Sequence, residues 1–580
     1  MKILLIYPYC LETRLHVEEI SVPPIGIYYV GALLKENGYD VEILNCHDKH
    51  ESPAGIRRIL EEKKPDVIGF SILHANRWGG IEISRIARQV DPGVKIVFGG
   101  IGATFLWEHL LTHFRELDFV VIGEGEYPFF RLVKHIETKG NTAPEDIRGI
   151  AFRKDGRIIK TEDAEPVHNL DNLPNPARYF TYQHVTSTRG CPGKCTFCGS
   201  PRFWGHRVRF HSPEYFVTQL ELLYAKGIRF FYFSDDTFTI RKERVIEICR
   251  KIIEKGLRIT WVAISRVNFV SEETLFWMRK AGCIQISYGV ESGSEKIRNS
   301  VLNKNIRTDQ IKKAFSLTVK YGILTRAYFI YGSPGETRQT IEETLSLIFK
   351  IKPLSTIFYI LDIFPGTDLY SSFLARSGFT DDIWLKHIED ILYFETDPDL
   401  DGETVLAFGR TLRSEYYRHL PRFVDSIELV QNNELSAHHA DFLSRLGMTF
   451  SHGDYAGVRE IEKKDRIAEK LFKQALDYHA DHRAYLGLGI IKQRNRSPED
   501  SVTILSEGLE HFPDSEPLNT CLGIGFMNLR RYDRALACFL KFQESREALS
   551  YAVQCYEALG DYRNRSRLLE KLQAIQKTFF

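Results

Sequence analysis

No stretch of the 580-residue chain approaches the roughly eighteen consecutive apolar residues of a spanning helix, and no small-residue cleavage pattern follows the opening run Ile3 to Ile6. Both absences predict a cytoplasmic protein without a membrane span. Net charge is nearly absent as well: 77 Lys plus Arg oppose 76 Asp plus Glu, and a formal +1 offers no global field for nucleic acid or a membrane surface. Cysteine is sparse. Of the 10, three fall at 191, 195 and 198 and the rest are scattered, which is not a secreted disulfide framework. What is present is ordinary globular composition, 43% hydrophobic, 26% charged and 12% aromatic, so neither a mainly disordered nor a fibrous chain fits. The length exceeds what one core organises and predicts roughly three or four domains.

The patterning predicts an α/β fold with a helical C-terminal part. Over 1–140, short apolar strands at 2–7, 39–44, 67–71, 94–99 and 119–122 alternate with helical periods, as in an open, Rossmann-like parallel sheet covered on both faces. Ligands of such sheets sit beyond the strand C-termini, which here carry Ser71-Ile72-Leu73, Gly99-Gly100 and Gly123-Glu124-Gly125-Glu126. Residues 141–180, rich in Pro, Asn and Asp, read as an ordered connector. Over 181–380 six strands, at 184–188, 230–234, 260–264, 284–290, 324–331 and 356–361, each lead into a helix, as in a six-unit partial barrel with its chemistry at the strand ends. Residues 381–454 read as a helical extension.

From 455 to 580 a loose repeat appears: Leu488-Gly489 recurs as Leu522-Gly523, Ser501 as Ala535 and Leu505 as Phe539, each after 34 residues. Paired helices at this period resemble tetratricopeptide repeats, in which small residues let helices approach. Two readings stay open, a docking surface for a protein partner and a helical cap over the barrel.

Arg189-Gly190-Cys191-Pro192-Gly193-Lys194-Cys195-Thr196-Phe197-Cys198 sets three thiols on one loop after a strand. A structural zinc site would need a fourth ligand, for which His206 and His211 are candidates. A four-iron, four-sulfur cluster held by three cysteines keeps one iron free for another ligand. The spacing C-x3-C-x2-C, with an aromatic before the last cysteine, resembles the radical S-adenosylmethionine (SAM) superfamily. That resemblance implies Cys191, Cys195 and Cys198 as cluster ligands, with the open iron holding the amino and carboxylate groups of SAM. The reduced cluster would then cleave SAM to methionine and a 5′-deoxyadenosyl radical. It further implies Phe197 near the adenine and Asp235 or Asp236, after the second barrel strand, near the SAM amine, for which helix capping is the plainer role. Arg266 would meet a carboxylate or make an ordinary salt bridge. Glu291-Ser292, ending the fourth strand, would face the ribose or amino acid. Tyr331 to Thr337 and Phe364 to Thr367 resemble segments on the adenine side.

The first domain, with Pro23-Pro24-Ile25-Gly26 near its start, resembles the cobalamin-binding domain of cobalamin-dependent radical enzymes, and the combined resemblance spans about residues 1–400. It implies Ser71, Gly99 and Gly100 along the nucleotide tail and Gly123, Glu124 and Gly125 at the same pocket; tight turns and close packing are the plainer roles of these glycines. The Asp-x-His-x-x-Gly motif of many cobalamin domains is missing: Tyr7-Pro8-Tyr9-Cys10 stands in its place. Asp48-Lys49-His50 follows the wrong strand, so His50 is not assigned to cobalt.

The implied cofactors are a 4Fe-4S cluster, SAM and cobalamin, and the implied reaction is methyl transfer from methylcobalamin to an unactivated carbon or to phosphorus. The alternatives are a radical cyclisation or rearrangement and, from another class, a cobalamin- and cluster-binding sensor or scaffold. A methylthiotransferase would need a second three-cysteine set, and the first domain offers only Cys10 and Cys46. Expected partners are a small-molecule or carrier-bound substrate and an electron donor of flavodoxin or ferredoxin type. No individual catalytic residue is assigned.

Overall fold

The structure, a computed structural model, describes residues 1–11, 22–49, 52–138 and 144–577; His50 and the boundary expected at 140 lie outside the described residues. The chain divides into two compact units, one of 1–318 with 325–413 and one of 319–324 with 414–580.

The first unit contains two large sheets. Strands β1 (Lys2–Tyr7), β2 (Asp40–Asn45), β3 (Val67–Ser71), β4 (Lys95–Gly99) and β5 (Phe119–Val121) lie in the order β2-β1-β3-β4-β5 and pair in parallel. Continuous burial along Ile3–Tyr7 and Val67–Phe70 is what a parallel sheet covered on both faces demands. Ser71 and Gly99 are register partners, so two strand ends expected to bind a ligand lie side by side.

The segment read as a connector also extends this sheet. Strands β6 (Ile150–Lys154) and β7 (Arg157–Lys160) add antiparallel to β5, giving seven strands. Asp155-Gly156 makes their turn with both residues at positive φ, 52° and 75°, as a tight hairpin requires.

The second sheet begins with β8 (His184–Val185); β9 (Thr188–Arg189) and β10 (Arg209–Phe210) then form a small antiparallel sheet of their own, and the second sheet resumes with β11 (Phe230–Phe233), β12 (Thr260–Ser265), β13 (Cys283–Glu291), β14 (Leu324–Tyr331) and β15 (Ser355–Ile360). Its six main strands follow chain order, β8-β11-β12-β13-β14-β15. Helices intervene between them, with starts fixed by side-chain caps: Ser212 accepts from the Tyr215 amide, Ser271 from Thr274 and Thr337 from Thr340. The β9–β10 pair closes the base of the cysteine loop.

The second unit is helical. Gly489 packs so closely on Leu505 that a Cβ there would come within 2.6 Å of its side chain, and 34 residues on Gly523 meets Phe539 at 2.5 Å. Small residues thus let successive helices approach at the recurring positions. No described helix is long and apolar enough to cross a membrane.

Candidate functional site

Backbone hydrogen bonds fix the cysteine loop. The Thr196 amide donates to the Leu302 carbonyl at 3.1 Å, Thr196 Oγ1 to the Val301 carbonyl at 2.9 Å, and Asn303 Nδ2 to the Lys194 carbonyl at 2.8 Å. Gly193 lies between the thiols: a Cβ there would stand 3.4 Å from Cys191 Sγ, 3.7 Å from Cys195 Sγ and 3.1 Å from Arg266 Nη1. Burial, with Asp236 and the other two thiols adding to it, pushes the Cys198 thiol up to about 12.

The zinc alternative loses its fourth ligand. His211 is buried with Nδ1 on Asp171 at 3.0 Å and Nε2 on the Tyr29 hydroxyl at 2.9 Å, and His206 is exposed. Among the described residues the three thiols do not converge within 4.8 Å, as the ligands of one ion would. Three cysteines on a rigid loop with a wider spread suit a cluster.

Around this loop stand the acidic and basic residues singled out in the sequence. Glu291 ends β13 with φ 68°, a left-handed conformation unusual for a side chain of this size. Its carboxylate pairs with Lys304 Nζ at 2.6 Å; Glu291 is buried and the Lys304 side chain 11% exposed. Burial alone would lower Lys304, but Glu291 and the Cys195 sulfur outweigh it and hold the ammonium above its ordinary value. Lys304 also lies 6.0 Å over the Phe197 ring. Arg266 gives Nη2 to the Lys304 carbonyl at 2.6 Å and sets Nη1 3.9 Å from Cys195 Sγ, so it faces the cluster loop instead of forming a salt bridge. Cys195, Phe197, Arg266, Glu291 and Lys304 therefore form one cluster.

Asp235 and Ser292 have structural partners. Asp235 Oδ1 accepts from the Ser187 amide at 3.0 Å, Ser187 Oγ at 2.9 Å and Thr188 Oγ1 at 2.6 Å, while Oδ2 is buried with no partner. Burial raises its carboxyl above the ordinary range against these bonds. Ser292 is fully buried and accepts from the Ser294 amide at 3.1 Å, within its own turn. Asp236 is exposed and accepts from Ser200 Oγ at 2.6 Å.

A cavity of about 270 Å³ opens at the C-terminal ends of the first sheet, and Ser71, Gly99, Gly100, Gly123, Glu124 and Gly125 all line it. Gly26 and Gly123 also face it, and a Cβ on either would meet no atom within 4 Å. The far wall is Phe203 and Trp204, from the helix Ser200–Trp204 that begins two residues after Cys198. Glu124 is not a free carboxylate. Arg209 Nη2 lies 2.5 Å from its Oε1 and Arg189 Nη1 2.8 Å from its Oε2, and Arg189 also holds Glu126 at 2.5 Å. All four side chains are buried, so the loop after β5 is bolted to the strand that enters the cysteine loop.

Sequence reasoning missed Lys304, Arg189, Arg209 and Trp204. Lys304 follows Glu291 by thirteen residues in a loop without a pattern; the two arginines and Trp204 flank the cysteine motif and act only through the fold.

Comparison with known proteins accounts for this pairing of sites. The model of the radical SAM superfamily matches residues 185–348, and that of the B12 binding domain matches 17–133. An uncharacterized methyltransferase of Pyrococcus horikoshii is 31% identical over 399 residues, 67% of this chain and 86% of its own. The chain belongs to the radical SAM superfamily. The radical SAM match starts within β8, and the B12 binding match contains β2 to β5 of the first sheet. The anaerobic magnesium-protoporphyrin IX monomethyl ester cyclase of Rubrivivax gelatinosus is 29% identical, over 60% of this chain and 66% of the cyclase. Among solved structures, the radical SAM methyltransferase TsrM of Kitasatospora setae, with cobalamin and a 4Fe-4S cluster bound, superposes with a TM-score of 0.58 at 16% identity, over 82% of this chain and all of that one. That likeness shows the fold. The two domains bring their cofactors: a 4Fe-4S cluster and SAM for one, cobalamin for the other.

Proposed function

We propose that this chain is a cobalamin-dependent radical SAM methyltransferase acting on an unactivated carbon or on phosphorus. The observation that carries the reading is the shared wall: Phe203 and Trp204, directly after the cluster cysteines, close the cavity at the strand ends of the B12 binding domain. Two cofactors held on either side of one short helix face a common substrate space. When bound, the cluster supplies the electron that cleaves SAM, and cobalamin supplies a methyl carrier.

The residues take the following parts. Cys191, Cys195 and Cys198 hold the cluster. Phe197, Glu291 and the unpartnered oxygen of Asp235 contact SAM, with Asp236 at the rim and Ser292 shaping the turn beneath. Arg266 and Lys304 place positive charge beside the Cys195 sulfur, which favours the reduced cluster. Ser71, Gly99, Gly100, Gly123 and Gly125 give the nucleotide tail of cobalamin a wall of backbone, while Glu124 braces it through Arg189 and Arg209. The second sheet reads as a six-unit partial barrel over 181–380, and the paired helices from 455 as tetratricopeptide-like repeats that dock a protein or carrier presenting the substrate. A flavodoxin- or ferredoxin-type donor fits the electron demand.

The test is turnover of SAM under a strong reductant with cobalamin bound. S-adenosylhomocysteine and 5′-deoxyadenosine are both expected from the wild type, and no 5′-deoxyadenosine from Cys198→Ala. Formation of 5′-deoxyadenosine without S-adenosylhomocysteine would overturn methyl transfer in favour of cyclisation or rearrangement; neither product would leave a scaffold.

A further inference from the structure

Away from both cofactor sites, His109, His113 and Asp382 turn one ligand atom each toward a common point, all within 4.8 Å of one another. We propose that these three side chains form a zinc site that staples the B12 binding domain to the segment after the last strand of the radical SAM domain.

The spacing of the three ligand atoms suits a tetrahedral ion with one open vertex. His109 and His113 stand one turn apart on the helix Trp107–His113, the i, i+4 spacing that puts two imidazoles on one helix face. Asp382 Oδ1 lies 2.9 Å from His113 Nε2 and 3.7 Å from His109 Nδ1. Zinc bonds of about 2.0–2.1 Å at tetrahedral angles place ligand atoms about 3.3 Å apart, and the two distances bracket that value. Small movements of exposed Asp382 would equalise them.

His109 points to a ligand independently. It is 5% exposed, yet neither ring nitrogen has a hydrogen-bond partner. A buried imidazole whose nearest carboxylate stands at 3.7 Å, beyond hydrogen-bond distance, is costly, and a metal between the two would satisfy both.

The carboxylate is held in place by its neighbours. The turn Asp381–Leu385 is anchored by fully buried Trp384, whose Nε1 donates to the Tyr370 hydroxyl at 2.8 Å; that hydroxyl donates to Asp381 at 2.7 Å. Asp381 is thereby committed inward and Asp382 faces the histidines. A water would complete the fourth vertex.

The test uses the full chain with its cluster reconstituted, so that the three cysteines are occupied. After incubation with Zn²⁺ and desalting, zinc and iron are counted by mass spectrometry. The wild type is expected to keep about one zinc per chain, as one such site requires, and Asp382→Asn and His113→Ala to keep none at unchanged iron content. Zinc is expected to raise the unfolding temperature of the wild type and not of Asp382→Asn. Equal zinc in wild type and both variants, or no retained zinc in the wild type, would overturn the proposal. Asp382 and His113 are both exposed, and the iron count reports whether each variant has folded.

Discussion

Gly289 clears the space in which Glu291 and Lys304 meet: a Cβ there would lie 2.3 Å from the carboxylate and 2.5 Å from the ammonium. Removing one partner of so buried a pair strands the other charge, so Lys304→Met is expected to cost about 3–5 kcal/mol in denaturant unfolding. Adding Glu291→Gln should recover most of that loss, since the stranded charge is then gone. A second buried carboxylate ties stability to pH. Glu336 accepts from the Gly332 and Ser333 amides, but burial outweighs these bonds and lifts it from 4.5 to about 7. The folded chain therefore holds a proton that the unfolded chain releases above pH 4.5, and the stability this group confers is full below that pH and falls as pH rises toward 7. The slope is at most about 1.4 kcal/mol per pH unit. Glu336→Gln, unfolded at pH 5 and pH 7, is expected to show a smaller difference between the two than the wild type. An acid ending a strand was legible in the sequence; Lys304, its partner, was not, because nothing local in 292–304 marks the side chain that folds back.

Among elements, the parallel strands were legible because each is a short apolar run between breakers, and their ends carried the glycines that line the cavity. The hairpin β6–β7 was not read, although Asp155-Gly156 between two short strands is a turn signal. Its flanks, Ile-Ala-Phe-Arg-Lys and Arg-Ile-Ile-Lys, are charged enough at their ends to pass for a connector. The ion cluster of Arg189 and Arg209 with Glu124 and Glu126 was illegible for another reason: it joins residues 63 or more apart. Arg189 also lies over Tyr29 and Trp204, at 5.3 and 5.0 Å. Arg189→Met leaves two glutamates short of a cation and is expected to destabilise by about 3–5 kcal/mol, lowering both bound cobalamin and iron per chain. A variant that loses neither would mean the two sites do not depend on this link.

At the scale of the molecule, the first unit contains the B12 binding match and all but residues 319–324 of the radical SAM match, and the second the paired helices. The central claim is that one cavity takes cobalamin beside one cluster. Gly26 tests it cleanly, because it lines the cavity, has ordinary backbone geometry and has open space where a side chain would go. The measurement is cobalamin and iron per chain after anaerobic reconstitution and desalting, for the wild type and Gly26→Phe. The wild type should keep about one cobalamin with about four irons, and Gly26→Phe the irons without the cobalamin. A wild type that holds iron but no cobalamin, or a Gly26→Phe variant that keeps cobalamin in full, would contradict the account.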